Sequence, residues 1–140
     1  DEVLVVTTPE PHALTDAYAI MKVMHTLECQ SKMNLLVNRA ENQREADLVA
    51  AKLSGVVDQY LNRQVEYIGF VLEDRLVSRS LKQQKPFMLL DPDSPPSRNI
   101  KSVAAKLLKE PAAKTEGMSG FIAKLFSFGQ KAKKFTTPFA

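Results

Sequence analysis

The sequence predicts an α/β fold, a parallel sheet flanked by helices, and three observations predict it. Three apolar runs, Val3–Val6, Leu35–Val37 and Val65–Val71, are each followed by a segment whose apolar residues recur at helical spacing. The runs show almost no polar alternation, which suits parallel strands buried on both faces. Strand and helix alternate along the chain, the order of right-handed βαβ units. A three-stranded apolar sheet would leave a long edge open, so the chain is expected to be the C-terminal part of a larger α/β domain, with the start at Asp1 a truncation.

Each element has its own signal. Val3-Leu4-Val5-Val6 is largely β-branched and ends at the turn Thr-Thr-Pro-Glu-Pro. A helix is expected from about His12 to about Glu28, its face built from Leu14, Tyr18, Met21, Val23, Met24 and Leu27. Leu35-Leu36-Val37 is a second buried strand ending at Asn38-Arg39. The next helix is the most regular, with Ala46, Val49, Ala50, Leu53, Val56, Val57, Tyr60 and Leu61 on one face and Glu41, Gln43, Arg44, Asp47, Lys52 and Asp58 opposite. Val65–Val71 is the third strand, and a short helix from Asp74 to about Lys82 follows. After KPFMLLDPD, Ser94 is placed to cap a helix that Pro95 and Pro96 enter at its first turn and that runs to about Leu108.

Composition bounds the function classes. With 44% hydrophobic and 25% charged residues the chain has the balance of an ordinary soluble globular protein, which excludes disorder. No run approaches the roughly 18 apolar residues of a spanning helix. Cys29 is the single cysteine, so there is neither an internal disulfide nor a cysteine-rich metal site; it reads as a buried or half-buried small hydrophobe in a reducing cytoplasm. No signal sequence opens the chain. His12 and His25 lack partners arranged for catalysis or metal binding.

Charge divides the chain in two. Residues 1–108 carry 13 Lys/Arg against 14 Asp/Glu, and residues 109–140 carry six against two. A basic tail on a near-neutral body suggests an attachment device, and no specific nucleic acid is expected as a partner. The division is therefore residues 1–108 as body, 109–117 as linker, 118–135 as an amphipathic helix and 136–140 as terminal tail.

In open parallel sheets, ligands sit beyond the carboxyl ends of the strands. Three such ends are readable: TTPEP after the first strand, NRAEN after the second and LED after the third. They should line one rim. Asn38, at the second, offers one donor and one acceptor that match an adenine edge, or else simply finishes a strand.

The segments DEVLVVTTPEPHALTDAYAIMK, LLVNRAEN and YIGFVLED, and the pattern from Gln83 to Leu107, carry a resemblance that covers nearly the whole chain. The chain resembles the C-terminal half of the MinD/ParA class of deviant-Walker P-loop ATPases, most closely the flagellar number regulators called FlhG or YlxH. The resemblance implies that Asn38 reads adenine, with Arg39 as its neighbour, and that Leu72 and Asp74 belong to the loop whose backbone packs on the base. The family usually has a proline where this sequence has Leu72, a departure that relaxes the backbone there; Asp74 equally suits the cap of the short helix. The resemblance also implies that Glu10 and Asp16 lie near the face where two nucleotide-bound subunits meet, although acidic residues also favour the first turn of any helix.

The resemblance further implies ATP or ADP with Mg²⁺ in the complete protein, an ATP-dependent homodimer, and partners such as an FlhF-type GTPase and flagellar switch or regulatory proteins. No GxxxxGK[ST] phosphate loop occurs in the sequence. Catalytic residues are therefore expected to be absent, and this chain alone is expected neither to hydrolyse ATP nor to hold it tightly.

The tail is the second functional signal. Met118, Phe121, Ile122, Leu125, Phe126 and Phe128 share one helical face, with Lys124, Lys131 and Lys134 opposite. A basic amphipathic helix with aromatic residues suits the headgroup layer of an anionic membrane, in preference to docking on the body, and it is similar to the membrane-targeting helix of MinD proteins. The combined expectation is a cytoplasmic, peripherally membrane-associated regulator of flagellar number or placement. The alternatives are a division-site or partitioning ATPase of the same class, or a non-enzymatic membrane- or partner-binding module.

Overall fold

The computed structural model describes residues 2–109. Its elements follow in the order β1 (Glu2–Thr7), α1 (Pro11–Thr26), β2 (Lys32–Ala40), α2 (Gln43–Leu61), β3 (Val65–Leu72), α3 (Arg75–Lys82), α4 (Phe87–Leu90) and α5 (Pro95–Leu107). The strands pair in the order β1-β2-β3, and both pairings are parallel. The linker from Glu110 on and the amphipathic segment, with Met118, Phe121, Ile122, Lys124, Leu125, Phe126, Phe128, Lys131 and Lys134, lie outside the described residues.

The central strand explains why the sheet holds. Met33, Leu35, Leu36 and Val37 of β2 are all buried, since helices cover both sides of that strand. On one face Val5, Met33, Leu35 and Val37 meet Ala17 and Met21 of α1 and Ala46, Val49, Ala50, Leu53, Val57 and Leu61 of α2. On the other, Leu36, Ile68 and Val71 meet Val103 of α5, with Ile100 and Leu107 beside them.

β1 departs from the expectation of burial on both faces. Val5 is buried, but Leu4 is 40% and Val6 52% exposed. The reason is coverage: α5 lies over β3 and reaches Leu36 of β2, and among the described residues no helix covers the same face of β1.

Two helical faces are narrower than their sequence suggested. Leu14, Ala17, Tyr18, Met21 and Met24 of α1 turn inward, whereas Val23 and Leu27 are exposed. At 100° per residue Val23 is rotated away from Met21, and Leu27 already stands at the C-cap. Tyr60 of α2 is likewise exposed, because Leu61 takes the sheet-facing position of that last turn. α2 is well bounded: the Asn42 side chain accepts from the Glu45 amide at 2.9 Å, and Asn62 closes the other end in the left-handed conformation.

Ser94 occupies the N-cap position of α5 but does not cap with its side chain. It is buried, and its Oγ donates to the Asp91 carbonyl at 2.9 Å and lies 2.8 Å from Ser97 Oγ. The single turn α4 arises inside KPFMLLDPD, where four residues are too few for a periodic signal. At the amino end of the sheet, Glu2 accepts from Asn34 Nδ2 at 3.0 Å and pairs with Lys109 at 3.5 Å, so the first strand and the end of α5 meet there.

Candidate functional site

The carboxyl ends of the three strands form one rim, and two ladder irregularities shape it. Leu35 pairs with Tyr67 and Leu36 with Gly69, so Ile68 is skipped; Val37 pairs with Phe70 and Ala40 with Leu72, so β2 carries an extra residue at Asn38-Arg39. Bulges of this kind re-aim side chains and recur next to binding sites. Arg39 takes up the irregularity with φ 58°, in the left-handed region.

That conformation sends the Arg39 guanidinium across the rim. Its Nη2 lies 3.3 Å from Glu73 Oε1 after β3, and its Nη1 lies 3.8 Å from Glu10 Oε1 after β1. All three side chains are more than a third exposed, so solvent screens both pairs and they add little to stability. Their consequence is positional: one cation ties together the loops that follow all three strands. The Thr8 hydroxyl, the Glu10 backbone amide and, more weakly, Arg39 hold the Glu10 carboxyl below the usual range. Glu10 stands at the N-cap of α1 without a side-chain capping bond, turned instead toward Arg39.

The loop after β3 is pinned by three further bonds. The Leu72 amide donates to Asn99 Oδ1 of α5 at 3.1 Å, the Glu73 amide to the Ala40 carbonyl at 2.9 Å, and the Leu76 amide to Asp74 Oδ1 at 2.7 Å. Asp74 is thus the N-cap of α3. Asn38, half-buried, sits between these anchored segments, and no hydrogen bond joins its carboxamide to another described residue.

Glu10, Asn38, Arg39, Leu72 and Asp74 therefore share the rim. Asp16 does not join them; it is exposed on α1, one and a half turns along the helix. Two rim residues had escaped sequence reasoning. Glu73 lay within a recognised loop, but nothing in sequence pairs it with Arg39, 34 positions away. Asn99 is a polar residue in a helix, and no local signal links it to Leu72.

A recess of about 670 Å³ lies elsewhere, lined by His25, Cys29, Ser31 and Arg63 at the opposite ends of the strands. Arg63 donates to the Cys29 and Ser31 carbonyls, at 2.6 and 3.0 Å. Among the described residues, no group of three or more His, Cys, Asp or Glu converges as metal ligands, and no helix is long and apolar enough to cross a membrane.

The chain and its fold are similar to known proteins. The antiactivator FleN of Pseudomonas aeruginosa is 32% identical over 106 residues, 76% of this chain and 38% of FleN. The flagellum site-determining protein YlxH of Helicobacter pylori is 25% identical over 134 residues, 91% of this chain and 45% of YlxH. The MinD cell division protein of Aquifex aeolicus superposes with a TM-score of 0.59 at 21% identity, over 83% of this chain and 47% of that structure. The chain belongs to the MinD/ParA class, in its flagellar number-regulator branch.

An uncharacterized ATP-binding protein of Methanocaldococcus jannaschii is also similar, 28% identical over 135 residues, 94% of this chain and 48% of that protein. No protein-family model matches the chain. This MinD/ParA-class chain spans about half the length, or less, of the curated relatives it matches. The parallel sheet with helices on both faces is the P-loop NTPase-like architecture, and the rim described above is its carboxyl edge.

Proposed function

We propose that this chain supplies the base-binding side of the nucleotide site in a MinD-like ATPase that regulates flagellar number or placement. The observation that carries the reading is Asn38, its carboxamide bonded to no other described residue, held between loops that Arg39, Glu10 and Glu73 tie together. One carboxamide donor and one acceptor complement the amino group and adjacent ring nitrogen of adenine. The Leu72–Asp74 backbone offers the neighbouring surface for the base. The names of the flagellar relatives and of the archaeal ATP-binding protein support this direction.

The residues present fit the base of ATP or ADP and not its phosphates or Mg²⁺. A phosphate loop would supply backbone amides, a lysine and a metal-binding hydroxyl, and no such motif occurs in these 140 residues. Phosphate and metal chemistry would come from other segments of a complete protein.

In this reading Glu10 and Asp16 serve the face where two nucleotide-bound copies meet. The tail places the cytoplasmic protein on an anionic membrane, and its partners are an FlhF-type GTPase and flagellar switch or regulatory proteins.

The test of the base site is Asn38→Ala in the full-length protein. Titration with a fluorescent ADP should show affinity falling about tenfold, the loss of one to two hydrogen bonds, while affinity for a guanine analogue stays unchanged. Equal ADP affinity would move the contact elsewhere. For the tail, removing residues 117–140 should abolish flotation with liposomes of anionic lipid, and equal flotation would reject the anchor.

A further inference from the structure

We infer that Asn99 is a positioning residue for the base-side loop, acting through the Leu72 amide; the inference rests on the adenine reading above and deepens it. Leu72 is the last residue of β3, a strand with no neighbour on its outer side in the described sheet. The Leu72 amide leaves the ladder and donates to Asn99 Oδ1 at 3.1 Å in a part-buried setting, where a lost partner is costly. The amide that follows, of Glu73, returns to the Ala40 carbonyl. Two successive amides thus point to two different elements, α5 and β2. That pair of bonds fixes the direction in which the chain leaves the strand, beside Asn38.

α5 is built to hold Asn99 still. Pro95 and Pro96 set the backbone of its first turn, and Pro96 and Ser97 are fully buried. Ser97 Oγ donates to the Asp91 carbonyl at 2.7 Å, Ser94 Oγ donates to the same carbonyl, and Lys101 Nζ reaches the Pro92 carbonyl at 2.6 Å. The start of the helix is therefore fastened on both sides of Asn99 in sequence. A side chain in that position acts as a fixed acceptor where a further strand would otherwise pair.

The acceptor matters only if the donor exists, which gives a decisive comparison. Leu72→Pro removes the donor without breaking a strand-to-strand bond, because this amide does not belong to the ladder. In the full-length protein, Asn99→Ala should weaken binding of fluorescent ADP about five- to tenfold, the worth of one hydrogen bond. It should also lower the preference for adenine over guanine nucleotides, which a general loss of stability would not move. Asn99→Asp, which keeps an acceptor, should recover most of the affinity. In a Leu72→Pro background, Asn99→Ala should change ADP affinity by less than about twofold, because no donor is left to lose its partner. Hydrogen exchange at the Leu72 amide should accelerate at least about tenfold in Asn99→Ala.

If Asn99→Ala binds ADP normally while Asn38→Ala does not, the positioning role is overturned and the adenine site stands. If Asn38→Ala also binds normally, the adenine reading itself falls. An equal loss from Asn99→Ala with and without the Leu72 amide overturns the proposed route. Should Asn99→Ala alone fail to fold, Leu72→Pro against Leu72→Pro/Asn99→Ala decides the matter: equal affinities uphold the role, and unequal affinities or misfolding of the double variant alone overturn it.

Discussion

Leu35→Ala lowers the free energy of unfolding by about 2–5 kcal/mol, the largest single effect expected in this protein. Leu35 is fully buried on the central strand, under the core that α1 and α2 share. Its backbone pairs with Val5 on one side and Tyr67 on the other, so the strand cannot sag to fill the space left behind. The cost is then the lost burial plus a cavity that stays open. Against a total stability of about 5–15 kcal/mol, such a loss is severe. Urea unfolding followed by circular dichroism should show a lower midpoint at unchanged slope. Val6→Ala is the control: it removes a similar aliphatic group from a half-exposed site on β1 and should cost less than about 1 kcal/mol. A loss below 1 kcal/mol at Leu35 would mean that the central strand is not packed as described.

Gly69→Ala is the second large effect, and it combines two penalties. Gly69 has φ 144°, a conformation L side chains rarely adopt, and an added Cβ would lie 3.0 Å from Val103 Cγ2 on α5. Strain of this kind costs about 1–3 kcal/mol, and overpacking adds a similar amount. The sum approaches the Leu35 effect by a different route. Val103→Ala should relieve the contact but not the backbone, so the double variant should recover part of the loss and no more. Full recovery would show that the backbone conformation is inexpensive; no recovery would show that α5 does not press on the sheet at this point. Because α5 also carries Asn99, a displaced helix should lengthen the Leu72 contact and weaken nucleotide binding together with stability.

How much was readable beforehand follows from range. β2 and α2 were legible because their signals are local: three consecutive apolar residues, Leu35 to Val37, in one, and a long 3.6-residue period in the other. The exposure of Leu4 and Val6 was not legible, since an apolar run records where a strand can be buried and not whether a helix arrives to cover it. Val23 and Leu27 misled for a related reason: α1 carries apolar residues on two sides, and only packing decides which side faces in. At the rim, the positions of Glu10, Asn38, Arg39 and Asp74 could be expected from the rule that ligands gather at strand ends. The ties between them could not, because Arg39 to Glu73 and Leu72 to Asn99 are pairings across 34 and 27 positions that no local pattern encodes.

The meeting of Glu2 with Lys109 sets the mechanical boundary conditions for whatever is attached. Chain enters β1 and leaves α5 at the same pole, whereas the rim that Arg39 ties together occupies the other pole, roughly 17 Å away along six residues of strand. A load applied at either of these two points therefore bears on the pole remote from the rim.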